Sequence, residues 1–107
     1  MKEARLSILL KYLEEEPNDP FNLYAIATEY LSESIEKSKY YFDQLLSMHA
    51  DYLPTYFLAA QLYVDLEKEA KAIDIYRLGI ALAKKQNNTK TERELASAYQ
   101  NLLFELD

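Results

Sequence analysis

Cysteine is absent from the sequence, which excludes disulfides, thiolate metal sites and cysteine nucleophiles together and leaves the redox compartment unreadable from this residue. Glycine occurs once and proline three times in 107 residues. Hairpin turns, dinucleotide-binding turns and phosphate-cradling loops need glycines at positive φ, so β-sandwich, dinucleotide-binding and phosphate-loop folds are disfavoured as a group. With so few breakers the chain reads as nearly all helix. The one histidine, His49, has no second histidine with which to complete a metal site, and its place near a helix end suits a cation complementing the helix dipole. Glu14-Glu15-Glu16 with Asp19 reads as a solvated charged face, because hard-cation loops space their carboxylates around a glycine turn. Long apolar runs are missing too: none approaches the ~18 residues that cross a bilayer. The opening MKEARLSILLKYLEEE has Lys11 inside its apolar stretch and no small-residue cleavage site, so it is read as no signal peptide, and the expected location is cytoplasmic. Asn87-Asn88-Thr89 fits the glycosylation pattern, but with no export signal it reads as a polar loop.

What is present is half apolar: 50% of residues are hydrophobic, enough for a continuous core in one domain spanning 1–107. Twelve basic residues against 18 acidic ones give a net charge of −6. This balance opposes the attraction that nucleic acid or an anionic membrane requires, and it weakly favours a basic ligand. No grouping of nucleophile, base and oxyanion donors stands out, and paired carboxylates occur on every acidic helix, so neither an enzyme nor a cofactor is expected.

Periodicity supports helices. Leu6, Leu9, Leu10 and Leu13 share one helix face, as do Leu95, Ala98, Tyr99, Leu102 and Leu106. Asp19-Pro20 is an N-cap followed by proline at the first helical position, Pro17 closes the helix before it, and Ser34 caps the next. Asp51 or Leu53 opens another helix with Pro54 in its first turn, and Thr91-Glu92-Arg93-Glu94 has capping-box spacing after a polar connection from Lys84 to Lys90. The spacing predicts helices over 2–16, 20–32, 35–48, 53–65, 68–84 and 91–106. Their short links make consecutive helices antiparallel neighbours.

Two segments share one design. LYAIATEY, Leu23 to Tyr30, and YFLAAQLY, Tyr56 to Tyr63, stand 33 residues apart. The first is followed by Ser38, Phe42, Leu45 and Leu46, the second by Ala72, Tyr76, Gly79 and Ile80. This pattern resembles the tetratricopeptide repeat family, built from helical hairpins of ~34 residues with small residues where the two helices cross. Leu23, Ile26, Ala27 and Tyr30 match one first-helix signature, and Ser38, Phe42 and Leu45 its second helix. Tyr56, Ala59, Ala60 and Tyr63, then Ala72, Tyr76 and Gly79, match the next repeat. Two helix axes reach about 8–10 Å only across small side chains, so Ala27 with Ser38 and Ala60 with Ala72 are the expected crossings.

The resemblance implies an all-α, right-handed α-solenoid of antiparallel helical hairpins with about six helices: an orphan helix over 2–16, repeats over about 18–50 and 51–84, and a solvating cap over 91–106. Leu9 to Pro17 has the spacing from the family's second-helix aromatic to its closing proline, hence the orphan. Between crossings the first repeat is one residue shorter than the second, and neither turn carries the family's usual glycine. The family binds peptides or partner helices on its concave surface. Carried over, that surface comprises Tyr24, Thr28, Leu31 and Ser32 from one repeat and Phe57, Gln61, Val64 and Asp65 from the next. It has no basic residue at those positions, so the clamp by which some members grip a terminal carboxylate is missing, and a protein or peptide segment with apolar anchors, possibly basic, is the implied partner. The alternative for Tyr24 and Phe57 is packing, the usual duty of tyrosine-rich chains in such folds. The rival to an adaptor or scaffold is a homodimer through the ends, where Ile8 and Tyr12 lie off the leucine stripe of the first helix and Phe104 lies opposite the apolar face of the last.

Overall fold

The computed structural model describes residues 2–107 and contains six α-helices and no strand among them: α1 (Lys2–Glu15), α2 (Pro20–Tyr30), α3 (Ile35–Met48), α4 (Thr55–Asp65), α5 (Glu69–Lys85) and α6 (Thr89–Leu106). Their starts follow from capping chemistry, since the first N–H groups of a helix have no partner within it. Asp19 Oδ1 accepts from the Phe21 N–H at 2.9 Å with Pro20 at the first helical position, and Ser34 Oγ accepts from the Lys37 N–H at 3.3 Å. Three expected starts differ, that of α5 by a single residue, Glu69 for 68. α4 begins at Thr55, leaving Asp51, Leu53 and Pro54 in the turn before it, where proline's fixed φ and missing donor are harmless. α6 begins at Thr89 because Asn88, not Thr91, is the cap: Asn88 Oδ1 accepts from the Thr91 N–H at 3.0 Å.

The helices gather into two compact units, Met1–Thr55 and Tyr56–Asp107. In the first, α1 and α2 run antiparallel. Arg5 Nε donates to Glu29 Oε1 at 2.7 Å near one end of the pair, and near the other the buried Asn22 side chain donates to the Tyr12 and Glu16 carbonyls at 3.4 and 3.5 Å. α2 and α3 cross at Ala27 and Ser38, both fully buried, where Ser38 Oγ donates to the Ala27 carbonyl at 2.7 Å. That carbonyl lies in the last turn of α2, whose final carbonyls lack helical partners. The serine is therefore small enough for the crossing and also supplies a needed donor. Leu23, Ile26, Phe42 and Leu45 close the core around it.

In the second unit α4 and α5 pair antiparallel, as do α5 and α6. Ala60 and Ala72 are fully buried. A close approach is at Gly79, where an added Cβ would stand 2.7 Å from Tyr56 Cβ on α4 and 3.0 Å from Leu95 Cδ1 on α6. Arg77 Nε donates to the Tyr99 hydroxyl at 2.9 Å across α5 and α6. Leu95 and Leu102 of the α6 stripe are buried, whereas Leu106 at its end is exposed.

Both turns of this unit reverse direction without glycine. Glu67 and Asn87 have φ of 59° and 58°. After α4 the Lys68 N–H bonds the Tyr63 carbonyl and the Glu67 N–H the Val64 carbonyl, each at 2.9 Å; after α5 the Asn88 N–H bonds Ala83 at 2.9 Å and the Asn87 N–H bonds Lys84 at 3.1 Å. These are Schellman motifs. α2 instead ends on Leu31 in right-handed geometry, φ −53°, and the left-handed position has no counterpart there among the described residues.

These geometries set two substitutions against each other. Gly79→Ala gains ~1 kcal/mol of helix propensity but forces a methyl into Tyr56, an overpacking that costs ~1–3 kcal/mol, so a net loss of stability is expected. Glu67→Gly relieves a left-handed side chain and should gain about 0.5–1 kcal/mol after the added chain entropy of glycine. Thermal melts should move in opposite directions; a Gly79→Ala variant as stable as the parent would contradict the close approach.

Candidate functional site

On α4, Phe57, Gln61, Val64 and Asp65 follow i, i+4, i+7, i+8 spacing and share one face. The opposite face, Tyr56, Ala59, Ala60 and Tyr63, is buried. The outward face looks onto α6, which runs in the same sense because both helices are antiparallel to α5. Two adjoining open cavities lie between them. One, of about 590 Å³, is lined by Phe57, Gln61, Arg93, Glu94, Ser97, Ala98 and Asn101. The other, of about 330 Å³, is lined by Gln61, Val64, Asp65, Ala98, Asn101, Leu102 and Glu105, with Tyr76 of α5 among them. Gln61, Ala98 and Asn101 belong to both, so the cavities form one trough along α4 and α6.

The trough has an uneven electrostatic floor. Arg93 and Glu94 offset each other at the Phe57 end, whereas Asp65 and Glu105 at the far end have no basic residue beside them in the lining. Tyr76 senses that end: burial and then the Asp65 carboxylate hold its phenol above the usual tyrosine value.

In the first unit, Tyr24, Thr28 and Leu31 hold the matching positions of α2 and the residue that caps it. Tyr24 is half-buried and packs edge-on against Phe42, centroids 6.3 Å apart, and against Tyr52, 5.9 Å apart. Packing thus occupies much of this ring. Thr28 is exposed, with its hydroxyl donating to the Tyr24 carbonyl at 2.8 Å, and Leu31 is half-buried. A cavity of about 290 Å³ in this unit is lined by Leu6, Glu29, Tyr30, Lys37 and their neighbours and includes none of the three. The residues flagged for self-association are all exposed: Ile8 at 52%, Tyr12 at 49% and Phe104 at 85%. His49 caps α3 through its backbone, its N–H meeting the Leu45 carbonyl at 2.8 Å.

Sequence reasoning missed the contribution of α6. Read as a solvating cap, it supplies Arg93, Glu94, Ser97, Asn101 and Glu105 to the trough, and with them a basic residue that the α4 face lacks. The signal was present in the polar side of α6, at Arg93, Ser97 and Asn101, spaced by four. Among the described residues no group of His, Cys, Asp or Glu is placed to hold a metal ion, and no helix is long and apolar enough to cross a membrane.

Antiparallel helical hairpins with small-residue crossings and a polar-lined trough define a helical-repeat module. No family model and no curated protein matches the chain. Solved structures do. The solution structure of a tetratricopeptide repeat domain protein from Salinibacter ruber is 33% identical over 81% of this chain and 89% of its own, with a TM-score of 0.76. A crystal structure bearing the same description, from the same organism, is 33% identical over 78% of this chain and 96% of its own, with a TM-score of 0.75. The chain belongs to the tetratricopeptide repeat family, and that membership points to a protein-interaction module in general.

The electrostatics of Tyr76 are testable. Because the folded state disfavours its phenolate, the stability linked to this group is whole below ~10, the ordinary tyrosine value, and is lost as pH rises through the raised one. Tyrosine-ring NMR should show Tyr76 titrating late, and Asp65→Asn should lower its midpoint while leaving the late titration of Tyr41 and Tyr52 in place. An unchanged Tyr76 midpoint would remove Asp65 from its environment.

Proposed function

We propose that the protein is a non-catalytic adaptor or scaffold of the cytoplasm, which holds a peptide segment or helix of a partner protein on the α4 face of Phe57, Gln61, Val64 and Asp65. Tyr24, Thr28 and Leu31 are the matching residues of the first unit. The observation that carries this reading is the trough between α4 and α6, where apolar and uncommitted polar side chains lie together outside the core. Apolar anchors such as Phe57, flanked by amides, are the composition that protein recognition favours. A net charge of −6 opposes nucleic acid and anionic membranes as partners and favours a basic segment.

Because Tyr24 is bound into packing with Phe42 and Tyr52, the clean test is the double variant Phe57→Ala, Gln61→Ala, both residues lying outside the buried core. Affinity capture from lysate of the organism that encodes the protein should yield a protein bound by the parent and lost by the folded variant. Equal capture by both would reject this face.

A second reading rests on the 85% exposure of Phe104, with Ile8 and Tyr12 on α1: the chain pairs with a second copy through its terminal helices. Contact with a second copy would take these apolar surfaces out of water. Light scattering should give a dimer that Phe104→Glu converts to a folded monomer; an unchanged mass would exclude this contact.

A further inference from the structure

The trough has direction as well as composition. At one end Phe57 offers an aromatic surface beside a balanced Arg93 and Glu94, and at the other Asp65 and Glu105 place two carboxylates with no cation beside them in the lining. Between them, Gln61 and Asn101 are exposed amides shared by both cavities. The side chains of Gln61, Asn101, Arg93 and Glu105 make no hydrogen bond or ion pair with another side chain among the described residues.

Each amide carries donors and an acceptor, the complement of a peptide group. A helical ligand has already spent its backbone groups internally, whereas an extended one still presents them. Free amides in the middle of the trough therefore select an extended chain. Distance sets its register. Phe57 to Asp65 is eight residues of α4, or ~12 Å at the helical rise of ~1.5 Å per residue, and an extended peptide covers that in about four residues at ~3.3 Å each.

Resting on the reading of α4 as the binding face, we infer that the ligand is an extended peptide whose apolar side chain seats on Phe57 and whose lysine or arginine, about four residues away, lies between Asp65 and Glu105. Gln61 and Asn101 hold the backbone between the two anchors. Tyr76 lines the same end, where burial and then the Asp65 carboxylate raise its phenol. The chemistry selects for a charge and an anchor at a fixed spacing, and it selects against acidic segments, which would meet Asp65 and Glu105 unpaired.

Random dodecapeptides displayed on phage and selected on the immobilised full chain test this directly. Enriched sequences should share an aliphatic or aromatic residue and a lysine or arginine about four positions apart. Synthetic copies should bind about tenfold more weakly to the charge-neutral variant Asp65→Asn, Glu105→Gln, and more weakly at raised salt. Both positions are exposed, and circular dichroism verifies that the variant is folded. Peptides that need Phe57 but lack a basic residue, or that bind this variant as well as the parent, would overturn the inference while leaving the α4 face as a binding surface. If no sequence is enriched, or the enriched ones bind equally to Phe57→Ala, Gln61→Ala, the inference falls together with the binding face.

Discussion

Everything in this chain depends on how closely two antiparallel helices can approach. Side chains set that distance, and interaxial separations of about 8–10 Å require small residues where the axes cross. Ala27 and Ser38 meet in the first unit, and the Ser38 hydroxyl, 2.7 Å from the Ala27 carbonyl, satisfies a group that the end of α2 leaves without a helical partner. In the second unit Gly79 admits Tyr56 and Leu95 to within distances no other residue type would allow. Larger residues at these points would separate the helices and open the core, and with it the register of every side chain further along.

Close approach also divides α4 into two working sides. Tyr56, Ala59, Ala60 and Tyr63 turn inward and are buried, so the residues between them are forced outward by the helical repeat alone. Phe57, Gln61, Val64 and Asp65 consequently lie outside the buried core. Such residues are free to serve a partner, and the parallel α6 faces them at the distance that the shared neighbour α5 dictates. The trough is thus a by-product of hairpin packing, and its chemistry is set by side chains the core does not constrain.

Much of this was legible in the sequence because it is written in spacing. The repeat of LYAIATEY as YFLAAQLY located the crossings, scarce glycine and proline pointed to helices, and Asp19 and Ser34 marked two starts correctly. The illegible parts have local physical causes. Two capping signals compete within three residues at Asn88 and Thr91, and only the hydrogen-bond geometry decides for Asn88. The missing turn glycines were noticed, but that Glu67 would adopt left-handed φ in the second of those turns could not be read from a residue that ordinarily avoids it, whereas Asn87, after α5, is a residue type that tolerates it. For Tyr24 the sequence left groove and packing both open, because its contacts with Phe42 and Tyr52 are set by tertiary packing and not by helical period.

The same distinction explains why the far wall of the trough escaped notice. A cap helix and a groove helix share a requirement for an apolar stripe on one side, met here by Leu95 and Leu102, and a sequence displays only that stripe and its polar remainder. Whether the remainder meets water or a neighbouring helix depends on the angle at which the stripe docks. Here Tyr99 against Tyr76 and Arg77, with Leu95 against Gly79, orient α6 so that Asn101 and Glu105 turn toward α4. One helix therefore performs two tasks: it covers the apolar face of the last hairpin and gives that hairpin's outer surface a second wall. Core packing and the trough lining draw on different sides of the same eighteen residues, so a substitution on one side can leave the other in place.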